Sequence, residues 1–461
     1  MTDMKNAPAT KCEAKTFIAE YKLYKIRWLI LSIFILYTFS NSFQWGQYVI
    51  INNVVVKYYD IEPSAVDWTM TVYMVAYLPL VFPALWLLEK IGIRKSMVLT
   101  SAGLCLGSWI KLYASFAQDR FAFALFGQSV GAVSQVLAFG LAARVTGVWF
   151  GPNEVSFACS LAVFGDQFGS AVGFYLPALL VENTTIPRIR SRLILLNAII
   201  AGTASLIMLS VLVYFKERPK TPPSAADAMQ QKASEQSNII NDLRILFRKK
   251  GFILMMIAYG INNGAFNTFM TLFNSRFLIY FPGQEYHVGS LGFLIMLSGI
   301  VGSVTAGYYL DRSHKYKETT LGIYFMAIVS MISFIFTLRS GSLALVYVSC
   351  ILIGFSQIGY YCVAVQLGIE ITYPVSECIS SSCLLLASHV CGIIFTNAFR
   401  YMTDANFSDI NVTSTMAGVL LIGSLINALV PSKLRRQNVD VDDNDIAIDC
   451  KEETKTTSTI P

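Results

Sequence analysis

Twelve long apolar stretches alternate with short polar breaks along this chain, and a charged, proline-bearing segment at 216–250 divides them six and six. They lie near 27–52, 66–88, 97–116, 121–148, 155–181 and 193–215, then near 251–280, 288–310, 319–338, 342–371, 376–400 and 412–431. Each runs about 20 residues or more, enough for a helix to cross roughly 30 Å of hydrocarbon. Inside a bilayer the backbone must satisfy its own hydrogen bonds, so runs of this length predict helices. The pattern predicts an all-α membrane protein with 12 transmembrane helices. Its parts are a tail at 1–26, a six-helix half at 27–215, a linker at 216–250, a second half at 251–431 and a tail at 432–461. The tails, rich in Asp, Thr and Lys, are expected to be disordered.

Composition agrees: 54% of residues are hydrophobic and only 14% charged, against about 25% charged in ordinary soluble domains. The net charge of +6 could suggest a nucleic-acid partner, but its distribution points to the membrane. With the N-terminus inside, 26 of the 35 Lys and Arg fall on the cytoplasmic side, the bias expected of plasma-membrane topology. The Asn-x-Ser/Thr sequons start at Asn183, Asn406 and Asn411, all on the side assigned outside, where glycans are added. Both termini are therefore expected in the cytoplasm and the plasma membrane is the default residence; mitochondrial or endoplasmic-reticulum membranes remain open. Nothing resembles a cleavable signal peptide. Cysteine spacing offers neither a disulfide framework nor a zinc site, and no cofactor is expected. The expected surroundings are the lipid bilayer and a small-molecule substrate, with a monomeric carrier and no nucleic acid.

Polar side chains at membrane depth are costly and usually face a cavity or another helix. The first stretch carries NSFQWGQY (Asn41 to Tyr48), where helical spacing puts Asn41, Trp45 and Tyr48 on one face. Aromatic rings flanked by amides suit an organic cation, drawn to the ring face by about 0.5–2 kcal/mol per contact. An interfacial anchor is the plainer role for Trp45. The fifth stretch places Asp166 and Gln167 near its centre, about 100° apart on the helix. The carboxylate could neutralise a cation, carry a proton or simply hydrogen-bond. The seventh carries Asn263 and Asn267 one turn apart, and Asn262-Asn263-Gly264 predicts an unwound stretch; helix-to-helix hydrogen bonding is the alternative. His389 in the eleventh and Tyr361 in the tenth complete the candidate substrate set.

At the inner ends, LEKIGIRK (Leu88 to Lys95) and GYYLDRSHKYK (Gly307 to Lys317) resemble the G-x-x-x-D-R-x-x-x-R/K turn of the major facilitator superfamily. That superfamily pairs two six-helix halves around a midplane site. Glu89, Arg94, Asp311, Arg312, Glu370 and Glu377 form the candidate cytoplasmic gate, as ion pairs that break when the halves rock; snorkelling surface charges are the alternative.

The match narrows at FQWGQY, WFGPNEVS (Trp149 to Ser156), GDQFGSAVGF, YGINNGAF (Tyr259 to Phe266) and EITYPVSE (Glu370 to Glu377). Together these resemble the feline leukaemia virus subgroup C receptor family, over about Arg27 to Arg436. The resemblance implies transport of choline and ethanolamine by facilitated diffusion, with haem export as an older proposal. It places the family's first-helix tryptophan on Trp45 and its fifth-helix glutamine on Gln167. Asn267 stands where the family typically has Tyr, His389 where it has Gln, and Asp166 within the family's GNQ. Loss of an aromatic wall and gain of a carboxylate point to a relative of choline such as ethanolamine.

Three functions compete. A carrier for choline, ethanolamine or a related cation needs amides and aromatics aligned inward. A haem carrier of the same fold needs basic residues for propionates, and the deep cations Lys111 and Arg144 sit towards opposite faces. A non-transporting surface receptor needs neither. An enzyme is excluded by the lack of a phosphate loop, metal-ligand spacing or a nucleophile–base pair.

Overall fold

A computed structural model describes residues 24–151, 154–219, 239–313, 315–372, 375–405 and 409–431. The first apolar run folds as α1 (Ile26–Gly46), a 3₁₀ turn (Val49–Ile51) and α2 (Asn52–Tyr59), one span broken in its last third. The next two spans are arms of α3 (Pro63–Ala114), which turns back at Gly92 with φ 83°. The fourth span is α4 (Phe121–Phe139) followed by α5 (Leu141–Trp149), and α6 (Val155–Leu180) and α7 (Ile186–Tyr214) are the fifth and sixth. A short α8 (Ile239–Arg248) precedes α9 (Lys250–Tyr280), α10 (Glu285–Ser313) and α11 (Tyr316–Arg339). The last spans are α12 (Leu343–Thr372), α13 (Glu377–Asp404) and α14 (Asp409–Ala428).

The described helices thus make twelve spans, as the hydrophobic pattern predicts. The connection at 60–62 defines a distal end of the bundle; Phe215, Lys249 and the two ends of the described chain mark the proximal end. Large apolar side chains stand outward, Leu206, Val304, Phe336 and Leu425 at 66–70% exposure, a surface that water would not tolerate and lipid does.

One expectation is corrected. The unwound stretch at Asn262-Asn263-Gly264 is absent, because α9 is helical throughout. Gly264 serves packing: a Cβ there would lie 2.6 Å from the Cβ of Cys391 on α13. The broken span is the first one. The end of the linker forms α8, whose Leu246 is buried while Ile240 and Phe247 are exposed.

Glycines set the closest helix pairs. In α6, Gly165, Gly169 and Gly173 recur every four residues and meet Ile35, Phe39 and Phe43 of α1. A Cβ on Gly169 would stand 2.3 Å from the Phe39 carbonyl oxygen, so these backbones touch with no room for a methyl group.

Candidate functional site

In the first half, α1 ends where the ring of Phe174 crosses it, and a Cβ on Gly46 would lie 2.4 Å from that ring. Phe174 also props Trp45, edge-on at 5.9 Å between centroids, and Trp45 stays half-buried. Asn41, Trp45 and Tyr48, expected on one face, take separate partners. The regular α-helix ends at Gly46, while Gln47 and Tyr48 keep right-handed helical dihedrals. Asn41 points to the Gly131 carbonyl of α4 (3.5 Å), and Tyr48, fully buried, donates to Asn197 Oδ1 of α7 (3.4 Å). Asp166 accepts a hydrogen bond from Ser42, which turns its carboxylate towards α1. Tyr361 of the second half remains within electrostatic reach of that carboxylate. Gln167, one residue on, is half-buried.

In the second half, Asn263 donates to Ser388 Oγ at 2.8 Å and Asn267 to the same hydroxyl at 3.4 Å. Both amides therefore tie α9 to α13. Asn263 also reaches the Tyr259 hydroxyl at 3.4 Å, and the Tyr259 and Tyr361 rings lie 6.0 Å apart. His389 packs edge-on against Tyr77 of α3 at 4.7 Å, so it spans the two halves. Gly392 allows this approach, since its Cβ would sit 2.8 Å from Met74 Sδ of α3 and 3.7 Å from Asn267. Asn263, Asn267 and His389 thus gather around one turn of α13, while Trp45, Gln167 and Asp166 stand on α1 and α6.

The halves are joined by polar contacts at the distal end. Arg400 Nε donates to Asp67 at 2.6 Å, with both side chains at least 90% buried, and Asn52 adds a hydrogen bond to Asp67 at 3.1 Å. Glu285 accepts from Asn53 (3.2 Å) and Asn183 (3.1 Å), and Asn274 donates to the Ile50 carbonyl at 2.7 Å. Apart from Asn183, read only as a sequon, none of these was singled out by sequence, because polar residues at span ends are commonplace.

At the proximal end the described contacts of the expected gate residues are separate. Glu89 pairs with Arg144 at 3.3 Å within the first half. The backbone N–H groups of Ile93 and Arg94 each donate at 2.8 Å to Glu217, whose carboxylate caps the second arm of α3. Arg312 lies over the Tyr308 ring at 5.0 Å. Glu370 is buried in α12 and Glu377 is exposed at the start of α13. The Asp311 side chain lies outside those described. Of the sequons, Asn183 and Asn411 are exposed at the distal end, and Asn406 lies outside the described residues.

A small apolar cavity of about 90 Å³ opens between α9, α11 and α14, lined by Phe269, Leu272, Phe334 and Met416 among others. It holds none of the residues singled out by sequence.

Comparison with known proteins decides the family. The Major Facilitator Superfamily model matches residues 31–377. The chain is 39% identical to "Choline/ethanolamine transporter flvcr2b" of Danio rerio over 420 residues, 91% of this chain and 86% of that protein. It is 38% identical to "Choline/ethanolamine transporter FLVCR2" of Rattus norvegicus over 423 residues, 91% of this chain and 77% of that one. The chain belongs to the feline leukaemia virus subgroup C receptor family.

Membership of this family makes the chain a multi-pass membrane transporter of the major facilitator fold, and not an enzyme. The fold has solved relatives. A bacterial homologue of the human lysosomal transporter Spinster, inward-facing and unoccupied, superposes with TM-score 0.67 at 13% identity, over 90% of this chain and 99% of that one. A D-xylose–proton symporter gives TM-score 0.67 at 11% identity, over 88% of this chain and 97% of that one. Asn267 and His389, the two positions expected to depart from the family pattern, are neighbours in space. They lie on adjoining faces of α9 and α13, linked through Ser388 and Gly392.

Proposed function

We propose that this chain carries choline, ethanolamine or a related small organic cation across the membrane by facilitative alternating access. The observation that carries the proposal is the likeness to transporters named for those two amines, over 91% of the chain and through the Trp45 segment. Trp45, half-buried and held by Phe174, offers the ring face a quaternary or primary ammonium prefers. Gln167, Tyr361, Asn263, Asn267 and His389 supply polar walls from both halves. Asp166 contributes charge from beside Ser42, and Tyr48 acts from behind through Asn197.

The protein works as a monomer in the plasma membrane with both termini cytoplasmic. The distal end is then extracellular, and the Asp67–Arg400 closure corresponds to an inward-facing carrier. The six-helix halves, 27–215 and 251–431, rock against each other, while the pairs at Glu89 and Arg94 stiffen the cytoplasmic end of the first half. Haem is the weaker reading. Lys111 is bound by amides near the outer end and Arg144 by Glu89 near the inner end, so neither is paired with the other for two propionates.

Uptake of labelled choline and ethanolamine into cells expressing the chain tests the proposal, beside Trp45→Ala and a haem-efflux arm. Saturable amine uptake lost in Trp45→Ala is the expected result. Normal surface expression with no uptake of either amine rejects it, and the efflux arm then decides whether haem takes its place.

A further inference from the structure

The break in the first span is held open by a network that no substrate argument uses. Lys111, 1% exposed near the distal end of α3, donates to Gln44 Oε1 at 2.6 Å and to Gln128 Oε1 at 2.9 Å. Gln128 in turn donates at 2.6 Å to the backbone carbonyl of Gln44. That carbonyl lies in the last turn of α1, where the ending helix frees its acceptors and a buried carbonyl needs a partner. Ser108 adds a bond to Gln44 Oε1 at 3.1 Å.

A second arm of the same network holds the far side of the break. Ser115 donates to the Lys111 carbonyl at 3.0 Å and receives Asn197 at 2.7 Å. Asn197 Oδ1 accepts from Gln47 (3.5 Å) and Tyr48 (3.4 Å). Residues 44 and 47–48 are thus pinned from α3, α4 and α7, and Trp45 lies between the pins. The packing leaves Lys111 a fitted slot. Gly107 and Gly127 bring α3 and α4 together, a Cβ on Gly107 lying 2.5 Å from the Gly127 carbonyl, and a Cβ on Gly127 would meet Lys111 Cγ at 2.9 Å. A helix break is a place where a span can pivot, and its geometry is set by whatever satisfies the freed backbone groups.

We infer that Lys111 is a positioning residue for transport: through Gln44 and Gln128 it fixes the break in the first span and with it the presentation of Trp45 to substrate. The inference rests on the proposed role of Trp45 but not on the identity of the amine.

The test is choline uptake, normalised to surface protein, for wild type, Lys111→Met, Gln128→Leu, Trp45→Phe and the double variant Lys111→Met/Trp45→Phe. Lys111→Met and Gln128→Leu break the same clamp from opposite sides, so one can stand in if the other does not reach the surface. Each is expected to raise KM by about tenfold, equivalent to roughly 1.4 kcal/mol, with the maximal rate per surface molecule little changed. On the Trp45→Phe background, which keeps a ring and measurable uptake, Lys111→Met adds less than it does alone, because it acts through that ring. Unchanged KM in both clamp variants at normal surface level, or effects that multiply in full in the double variant, overturns the inference. A substrate-free arm separates this from failure of the amine reading. In a Trp45→Cys protein, Lys111→Met changes the rate at which a membrane-permeant maleimide labels position 45, measured above the native-cysteine background. An unchanged labelling rate refutes the positioning role. If wild type takes up neither amine, the proposed substrate falls and the labelling arm alone decides on Lys111.

Discussion

Asp67→Asn is the perturbation whose size follows most directly from the structure. Asp67 and Arg400 are 5% and 10% exposed, and their pair joins α3 to α13 across the two halves. Removing one member of a buried pair leaves the other charge uncompensated and typically costs about 3–5 kcal/mol. The contact belongs to the distally closed state; once the distal ends separate, water reaches Arg400 and most of that cost vanishes. The closed state alone therefore loses the energy, and at roughly 1.4 kcal/mol per decade the closed-to-open ratio falls about 100- to 3,000-fold. The substitution Thr271→Cys, at a position buried against Met70 under the closure, reports the shift. In the proposed orientation a membrane-impermeant thiol reagent applied outside labels position 271 slowly when Thr271→Cys is the sole change. Labelling is expected to run at least roughly tenfold faster once Asp67→Asn is added, while zero-trans choline uptake falls. The exchange Asp67→Arg with Arg400→Asp restores slow labelling. Equal labelling with and without Asp67→Asn, at equal surface level, would refute the argument that this pair holds the distal end shut.

The other expectations concern packing, capping and orientation. Gly169→Ala drives a methyl group to within 2.3 Å of the Phe39 carbonyl oxygen, which as backbone cannot swing aside. It is expected to destabilise by about 1–3 kcal/mol, read as a lower unfolding temperature in detergent, and an unchanged midpoint would refute the close contact. Glu217→Ala strips the cap from the Ile93 and Arg94 N–H groups at the start of the second α3 arm and should cost about 0.5–2 kcal/mol in the same assay. Glu217→Gln, which keeps an acceptor oxygen, should lose less. Asn183→Gln is expected to reduce a glycosidase-sensitive mobility shift, and replacing Asn406 and Asn411 as well to abolish it; wild-type protein with no such shift would count against an extracellular distal end.

Depth in the membrane was legible from sequence; direction around each helix was not. Hydropathy locates the spans because burial in lipid is a property of a whole window of residues. It located Trp45, Asp166, Asn263 and His389 at membrane depth for the same reason. Which way each points depends on where helices break and which neighbours come close. Asn41 and Tyr48, expected on one face, find their partners on α4 and α7, and the Phe174 ring packed on Gly46 belongs to a helix more than 120 residues away. Asn-Asn-Gly reads as a breaker, yet Gly264 is needed for contact with Cys391 and Asn263 is anchored by Ser388. Asp67 and Arg400 are 333 residues apart, and each taken alone is an ordinary charge at a span end.

Glycine contacts bear on which parts move. Inside each half several are backbone against backbone: Gly169 on the Phe39 carbonyl, Gly107 on that of Gly127, Gly302 on that of Phe355 and Gly354 on that of Ile295, all at 2.0–2.5 Å from where a Cβ would stand. Such pairs cannot slide, because any shift along the axis drives a side chain into a main chain that has no rotamer to yield. Between the halves the nearest atoms are mostly side chains: Gly292 faces Phe174 Cβ and Gly392 faces Met74 Sδ. Met and Phe contacts can be lost one by one, and lipid and cavity water replace them at little cost. The same residue type therefore welds helices within a half and leaves a slip plane between halves. On this reasoning the pivot for alternating access lies along the α3–α13 and α6–α10 contacts, with the Asp67–Arg400 pair as its distal latch.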